Sequence, residues 1–148
     1  MNAVDPEGYF FLDTNILFYA LEEAYPAKQE IAGRLVWEAL ASGRGIISIQ
    51  VVQEFLNVAR KKFKRPMTVE ECRGHVQNVL EPLCGYFPSI TTIDRALSII
   101  EEMGYHFYDA LIVAAAIESG CRTLYSEDLQ HGRKIQGLTI LNPFIDLE

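Results

Sequence analysis

The chain has 148 residues, 49% of them hydrophobic and 22% charged, with a formal net charge of −7. That length fits one domain, residues 1–148, large enough for a real core, and the composition is that of an ordinary globular protein. The acidic balance argues against a protein that holds nucleic acid by bulk electrostatics.

Along the chain, short apolar runs alternate with helical patterns. Tyr9 to Asp13 is rich in aromatics and predicts a buried strand. Ile16 to Glu22 predicts a short helix. Pro26 to Ser42 predicts a longer one, with Pro26 in its first turn, Ile31, Leu35, Val36, Ala39 and Leu40 at helical spacing, and Gly43 as its cap. Gly45 to Ile49 is a second buried strand. Val51 to Phe63 is a helix with Val51, Val52, Phe55, Leu56 and Ala59 on its apolar side. Thr68 to Cys84 is another, with Thr68 and Glu71 spaced as a capping box. Tyr86 to Ile90 is a short strand, and Thr92 to Met103 a helix ending at Gly104. Tyr108 to Ser119 is a helix apolar nearly all round, hence buried. Arg122 to Tyr125 and Leu138 to Leu141 are the last strands. Strands apolar on both faces that alternate with helices predict a parallel sheet covered on both sides, and in such sheets sites form at the carboxyl ends of the strands.

Cys72, Cys84 and Cys121 are odd in number with no CxxC, and His75, His106 and His131 lack metal-ligand spacing. The first residues lack the basic region and apolar core of a signal peptide. The longest apolar run, Ala110 to Ile117, is too short to span a bilayer. Buried thiols, a cytoplasmic location and no membrane partner are the expectation.

Polar residues interrupt this apolar pattern at particular places. Asp13-Thr14-Asn15 breaks the run FFLDTNILFYA where the first strand should end. Glu54 falls in the first turn of the helix after strand two. Asp109 falls in the first turn of the most apolar helix, and Asp128 three residues after the Arg122–Tyr125 strand. Singly, each has a plain explanation: Asp13 as a helix cap, Glu54 as a surface acid, Asp109 as a complement to the helix dipole, Asp128 as a turn residue. Four acids at the same end of successive strand–helix junctions is not what independent capping predicts. Carboxylates crowded together repel, and a cation relieves them. Oxygen ligands without histidine or thiolate select Mg²⁺ or Mn²⁺ over zinc, and such ions suit phosphate-ester chemistry. Asn15 and Ser126 then serve to orient carboxylates or bound water, and Thr14 does likewise or bonds only locally.

A second cluster is basic. Arg60, Lys61, Lys62, Lys64 and Arg65 put five cations in six residues. They form either a solvated helix end or a patch that contacts phosphate.

The segments LDTNILFYA, VVQEFLNV, YHFYDALIVAAA and LYSEDLQHG, in this order and spacing, resemble the PIN-domain nucleases, and most of all the VapC-like toxin ribonucleases of type II toxin–antitoxin pairs. The resemblance runs from about Tyr9 to Phe144. It maps the family's four acids onto Asp13, Glu54, Asp109 and Asp128, with Ser126 as the hydroxyl of the last motif and Glu127 as a neighbour of open role. It implies a three-layer α/β/α sandwich around a mostly parallel sheet of four to five strands. It also implies Mg²⁺- or Mn²⁺-dependent cleavage of single-stranded or structured RNA, a homodimer and a cognate antitoxin partner. In that reading the four acids are both metal ligands and catalytic groups, and Phe63, Tyr105 or Phe107 either stack bases or pack. The alternatives are a PIN nuclease outside any toxin–antitoxin pair, a silent PIN-like RNA- or protein-binding module, and a flavodoxin-like domain without metal. A phosphatase of the haloacid-dehalogenase type also uses Asp at the end of strand one, but it wants a second acid where Asn15 stands.

Overall fold

The computed structural model describes residues 8–147. Its elements alternate as the apolar pattern requires. Strand β1 (Tyr9–Leu12) leads into α1 (Thr14–Tyr19) and α2 (Pro26–Ser42), then β2 (Gly45–Ser48) and α3 (Ile49–Ala59). Helix α4 (Val69–His75) passes through a π-turn segment (Val76–Leu80) and α5 (Glu81–Leu83) into β3 (Cys84–Tyr86). Helices α6 (Ile90–Met103) and α7 (Phe107–Glu118) follow, then β4 (Cys121–Tyr125), β5 (Lys134–Ile135), β6 (Leu138–Leu141) and a closing 3₁₀ turn.

The strands form one sheet in the order β3-β2-β1-β4-β6-β5. All neighbours are parallel except the two-residue β5, which runs antiparallel to β6. This is an α/β fold with a mostly parallel central sheet flanked by helices, its strand count raised from the five read in the sequence to six by β5. Phe10, Phe11 and Leu12 are all buried, so both faces of β1 are covered. Helix α7 is buried along Ala110–Ala116 and packs against β4, β2 and α6, as its all-round apolar pattern predicts. On β2, a Cβ added to Gly45 would lie 2.1 Å from that of Ala39, so α2 approaches the strand closely only because residue 45 has no side chain. No helix among the described residues is long and apolar enough to cross a membrane.

Several boundaries shift by one to three residues from the sequence expectation, and three departures matter most. Helix α3 stops at Ala59, not Phe63, because Phe63 turns inward to stack on Phe18, with ring centroids 5.0 Å apart, while Met67 N–H bonds back to Ala59 C=O. The basic run therefore lies on the loop beyond the helix. The span from Thr68 is not one helix to Cys84. Its capping box forms, but it loosens into the π-turn segment, and Cys84 begins β3. Strand β3 ends at Tyr86, and Ile90 opens α6 behind the Ser89 cap.

Candidate active site

Because β1, β2 and β4 are parallel neighbours, their carboxyl ends share one edge, and the residues that leave them meet there. Asp13 follows β1 as the cap of α1; its Oδ1 accepts the Thr14 N–H at 2.7 Å. Its Oδ2 accepts the Ser126 hydroxyl at 2.8 Å, from the turn after β4. The same hydroxyl oxygen accepts the Asp128 N–H at 3.2 Å. Asn15 bridges the two segments in both directions. Its Nδ2 donates to Asp128 Oδ2 at 3.1 Å, and its Oδ1 accepts the Glu127 N–H at 3.2 Å.

Glu54 lies in the second turn of α3 and not the first, because the helix begins at Ile49, two residues before the expected Val51. Thr14 reaches across to it, hydroxyl to Glu54 Oε1 at 2.7 Å. Thr14 therefore does more than bond locally. Gln50, four residues before Glu54, donates Nε2 to the Tyr108 carbonyl at 3.1 Å and lies 3.4 Å from Glu54 Oε2. That contact ties the start of α7, and so Asp109, to the start of α3. Gln50 was not singled out from the sequence, although its i,i+4 spacing to Glu54 was available.

Asp13 is the buried member of the set, at 6% exposure, with Glu54 and Asp109 half-buried and Asp128 exposed. Burial, opposed by the Ser126 and Thr14 hydrogen bonds and reinforced by the charges of Asp128 and Glu54, pushes the Asp13 carboxyl up to about 7. Asp109 is raised as well, by burial first and by Asp128 second, with His106 opposing. Charge repulsion thus couples the acids in pairs: Asp13 with Asp128 and Glu54, and Asp109 with Asp128. The ion pairs among the described residues involve other acids, such as Lys28–Glu127 and Arg95–Glu118.

No three His, Cys, Asp or Glu side chains among the described residues gather into a preformed metal cage. The donor chemistry nonetheless fits a hard divalent cation. The groups are carboxylate oxygens that form no salt bridge among the described residues, and Gln50 Oε1 beside them is a buried acceptor without a hydrogen-bond donor. Of the three histidines, only His106 acts on this set, through its charge on Asp109. His75 packs 5.0 Å from the Phe55 ring, His131 Nδ1 accepts the Asn142 N–H, and His106 occupies the N-cap position of α7 without a side-chain capping bond.

Of the aromatic residues considered for base stacking, Phe63 is 7% exposed and belongs to the core. Tyr105 is half-buried, and Phe107 is exposed beside Tyr108. Arg60, Lys61, Lys62, Lys64 and Arg65 are all exposed on the loop that leaves α3. Cys72 and Cys121 are buried, Cys84 is partly so, and all three are free thiols.

A mostly parallel α/β sheet with paired acids along its carboxyl edge has the architecture of a PIN-like fold. The PIN domain family model matches residues 10–134, and the chain belongs to that family. No curated protein matches the chain. Among solved structures, a toxin–antitoxin complex from Klebsiella pneumoniae is similar, with a TM-score of 0.65 and 18% identity, over 90% of this chain and 96% of that one. VapBC2 from Rickettsia felis, bound to a DNA fragment from its promoter, is similar with a TM-score of 0.59 and 20% identity, over 89% of this chain and 96% of that one. Likeness at these identities is likeness of fold.

Proposed function

We propose that the chain is a Mg²⁺- or Mn²⁺-dependent endoribonuclease that hydrolyses phosphodiester bonds of single-stranded RNA, as the toxin of a toxin–antitoxin pair. The observation that carries this reading is the Asp13 carboxyl, buried against the charges of Asp128 and Glu54 with no salt-bridge partner among the described residues. Asp13, Glu54, Asp109 and Asp128 would hold the ion. When bound, it would activate a water and stabilise charge on the attacked phosphate.

The chain's own residues prepare those ligands. Ser126 and the Thr14 N–H each bond one oxygen of Asp13, Thr14 Oγ1 bonds one oxygen of Glu54, and Asn15 bonds one oxygen of Asp128. An ionised carboxylate has about four acceptor positions, so every acid retains free lone pairs directed by these bonds. The exposed cations of residues 60–65 leave the same helix that carries Glu54 and supply phosphate contacts for a substrate that a net charge of −7 would otherwise repel. The toxin role, with a cognate antitoxin and a homodimer, rests on the family and on structural neighbours solved as toxin–antitoxin assemblies.

The test is cleavage of end-labelled single-stranded RNA in Mg²⁺ or Mn²⁺. Asp13→Asn and Asp109→Asn are expected to reduce the rate at least a hundredfold while both variants remain folded, and chelation of the wild type is expected to do the same. Undiminished cleavage in excess chelator would refute the metal reading. For the toxin role, induced expression should arrest growth of a bacterial host and Asp13→Asn should not; equal growth would refute it.

A further inference from the structure

Glu127 stands beside Asp128, and from the sequence the two compete for one role. Their surroundings differ. Both carboxylate oxygens of Glu127 are taken: Tyr19 OH donates to Oε1 at 2.9 Å, and Lys28 Nζ pairs with Oε2. The Lys28 ammonium is itself enclosed by aromatic rings, 4.6 Å from the Tyr19 centroid, 5.5 Å from Phe144 and 5.9 Å from Tyr25. The pair is about three-quarters buried on each side, which limits competition from water. The Glu127 charge is thereby balanced within α1, α2 and the C-terminal segment, and it adds nothing to the charge of the paired acids.

The backbone of Glu127 carries the connection onward. Its N–H fixes Asn15 Oδ1, and with that oxygen held, Asn15 directs Nδ2 at Asp128 Oδ2. The Asp128 N–H in turn meets the Ser126 hydroxyl that bonds Asp13. An unbroken series of contacts runs from the first turn of α2 to the buried acid.

We propose that Glu127 is a positioning residue, clamped by Lys28 and Tyr19, which fixes the 126–128 turn so that Asp128 faces Asp13, and that it is not a metal ligand. The statement about ligands rests on the metal reading above; the clamp itself does not. The chemistry separates the two roles. A Gln at 127 keeps both clamp contacts, its oxygen accepting from Lys28 and its amide donating to the Tyr19 oxygen, but it is a far poorer ligand than a carboxylate. An Ala keeps neither.

Two measurements on the purified chain test this. The first is backbone amide hydrogen exchange of residues 126–128 without metal. Glu127→Ala and Lys28→Met are expected to speed exchange of the Glu127 and Asp128 amides about tenfold, with the double variant no faster than either, and Glu127→Gln is expected to stay within about threefold of wild type. Unchanged exchange in Glu127→Ala and Lys28→Met would overturn the clamp. The second is calorimetric titration with Mn²⁺. Glu127→Gln is expected to bind within about threefold of wild type, and Asp128→Asn at least tenfold more weakly. Equal weakening in the two would make Glu127 a ligand and overturn the assignment. A wild type that binds no Mn²⁺, with exchange still responding as stated, would refute the metal reading and leave the clamp in place.

Discussion

Replacing Asp13 by Asn tests the electrostatics at the centre of the site without any substrate. The Asp13 carboxyl titrates near 7 against an ordinary value of 3.8. A gap of about three units, at about 1.4 kcal/mol each, amounts to roughly 4 kcal/mol. The sign follows from where protons are bound. Below pH 3.8 both folded and unfolded chains hold the proton, and nothing is lost. Between about 4 and 7 the unfolded chain releases it while the folded chain retains it, so rising pH erodes stability, and above 7 the loss is complete. Asn is neutral throughout and keeps the geometry, its oxygen accepting the Thr14 N–H and its amide facing Ser126. The expected outcome is a metal-free variant about 2–4 kcal/mol more stable than wild type at pH 8, the advantage shrinking below about 1 kcal/mol at pH 4.5. Urea unfolding followed by circular dichroism in chelator, at pH 4.5, 6 and 8, measures it. An advantage independent of pH, or a variant less stable than wild type at pH 8, would refute the claim that Asp13 is a buried carboxyl ionised against its neighbours.

Three further outcomes separate binding from packing. Replacing Lys61, Lys62 and Lys64 together by Ala should lower RNA affinity and reduce the slope of log affinity against log salt by about 2, at roughly 0.7 per lost contact; filter binding across a salt series reads this, and an unchanged slope removes the loop from the interface. The fold should survive, because the loop is held by the Lys64 N–H on Glu22 and by the Met67 N–H on Ala59, both backbone donors. Phe63→Ala should destabilise by about 3–5 kcal/mol as an emptied core position, with the RNA salt slope intact; denaturant melts check the first, and a lost RNA affinity in folded protein would make Phe63 a stacking platform instead. Gly45→Ala should cost at least 1–3 kcal/mol by overpacking against Ala39, seen as a lower urea midpoint at constant m-value.

What the sequence disclosed was whatever depends on neighbours in the chain. Pro26 and Gly43 bracket α2 where local chemistry placed them, and the Thr68–Glu71 capping box forms at the start of α4. What it hid depends on distance. Helix α3 ends early because Phe63 finds Phe18, 45 positions away, and no periodicity records such a partner. The two-residue β5 has too little pattern to see, and nothing in the Thr68–Cys84 pattern marked the π-turn segment. The site divides in the same way. Acids after apolar runs stand out, as does Asn15 beside one of them, but the Asn15–Asp128 contact spans 113 positions and the Lys28–Glu127 contact 99. Lys28 in particular looks like any lysine on a helix until Glu127 and three aromatic rings surround it.

The order of strands in the sheet bears on the timing of synthesis. Strand β1 has β4 as its neighbour on one side, and the hydroxyl that grips Asp13 belongs to Ser126, 113 positions further along the chain. A nascent chain emerging from the ribosome therefore has no assembled acidic edge until residues 126–128 have been translated. Any fragment released before β4 lacks Asp128 altogether, so under the proposed function unfinished copies would lack one of the acids that cleavage requires.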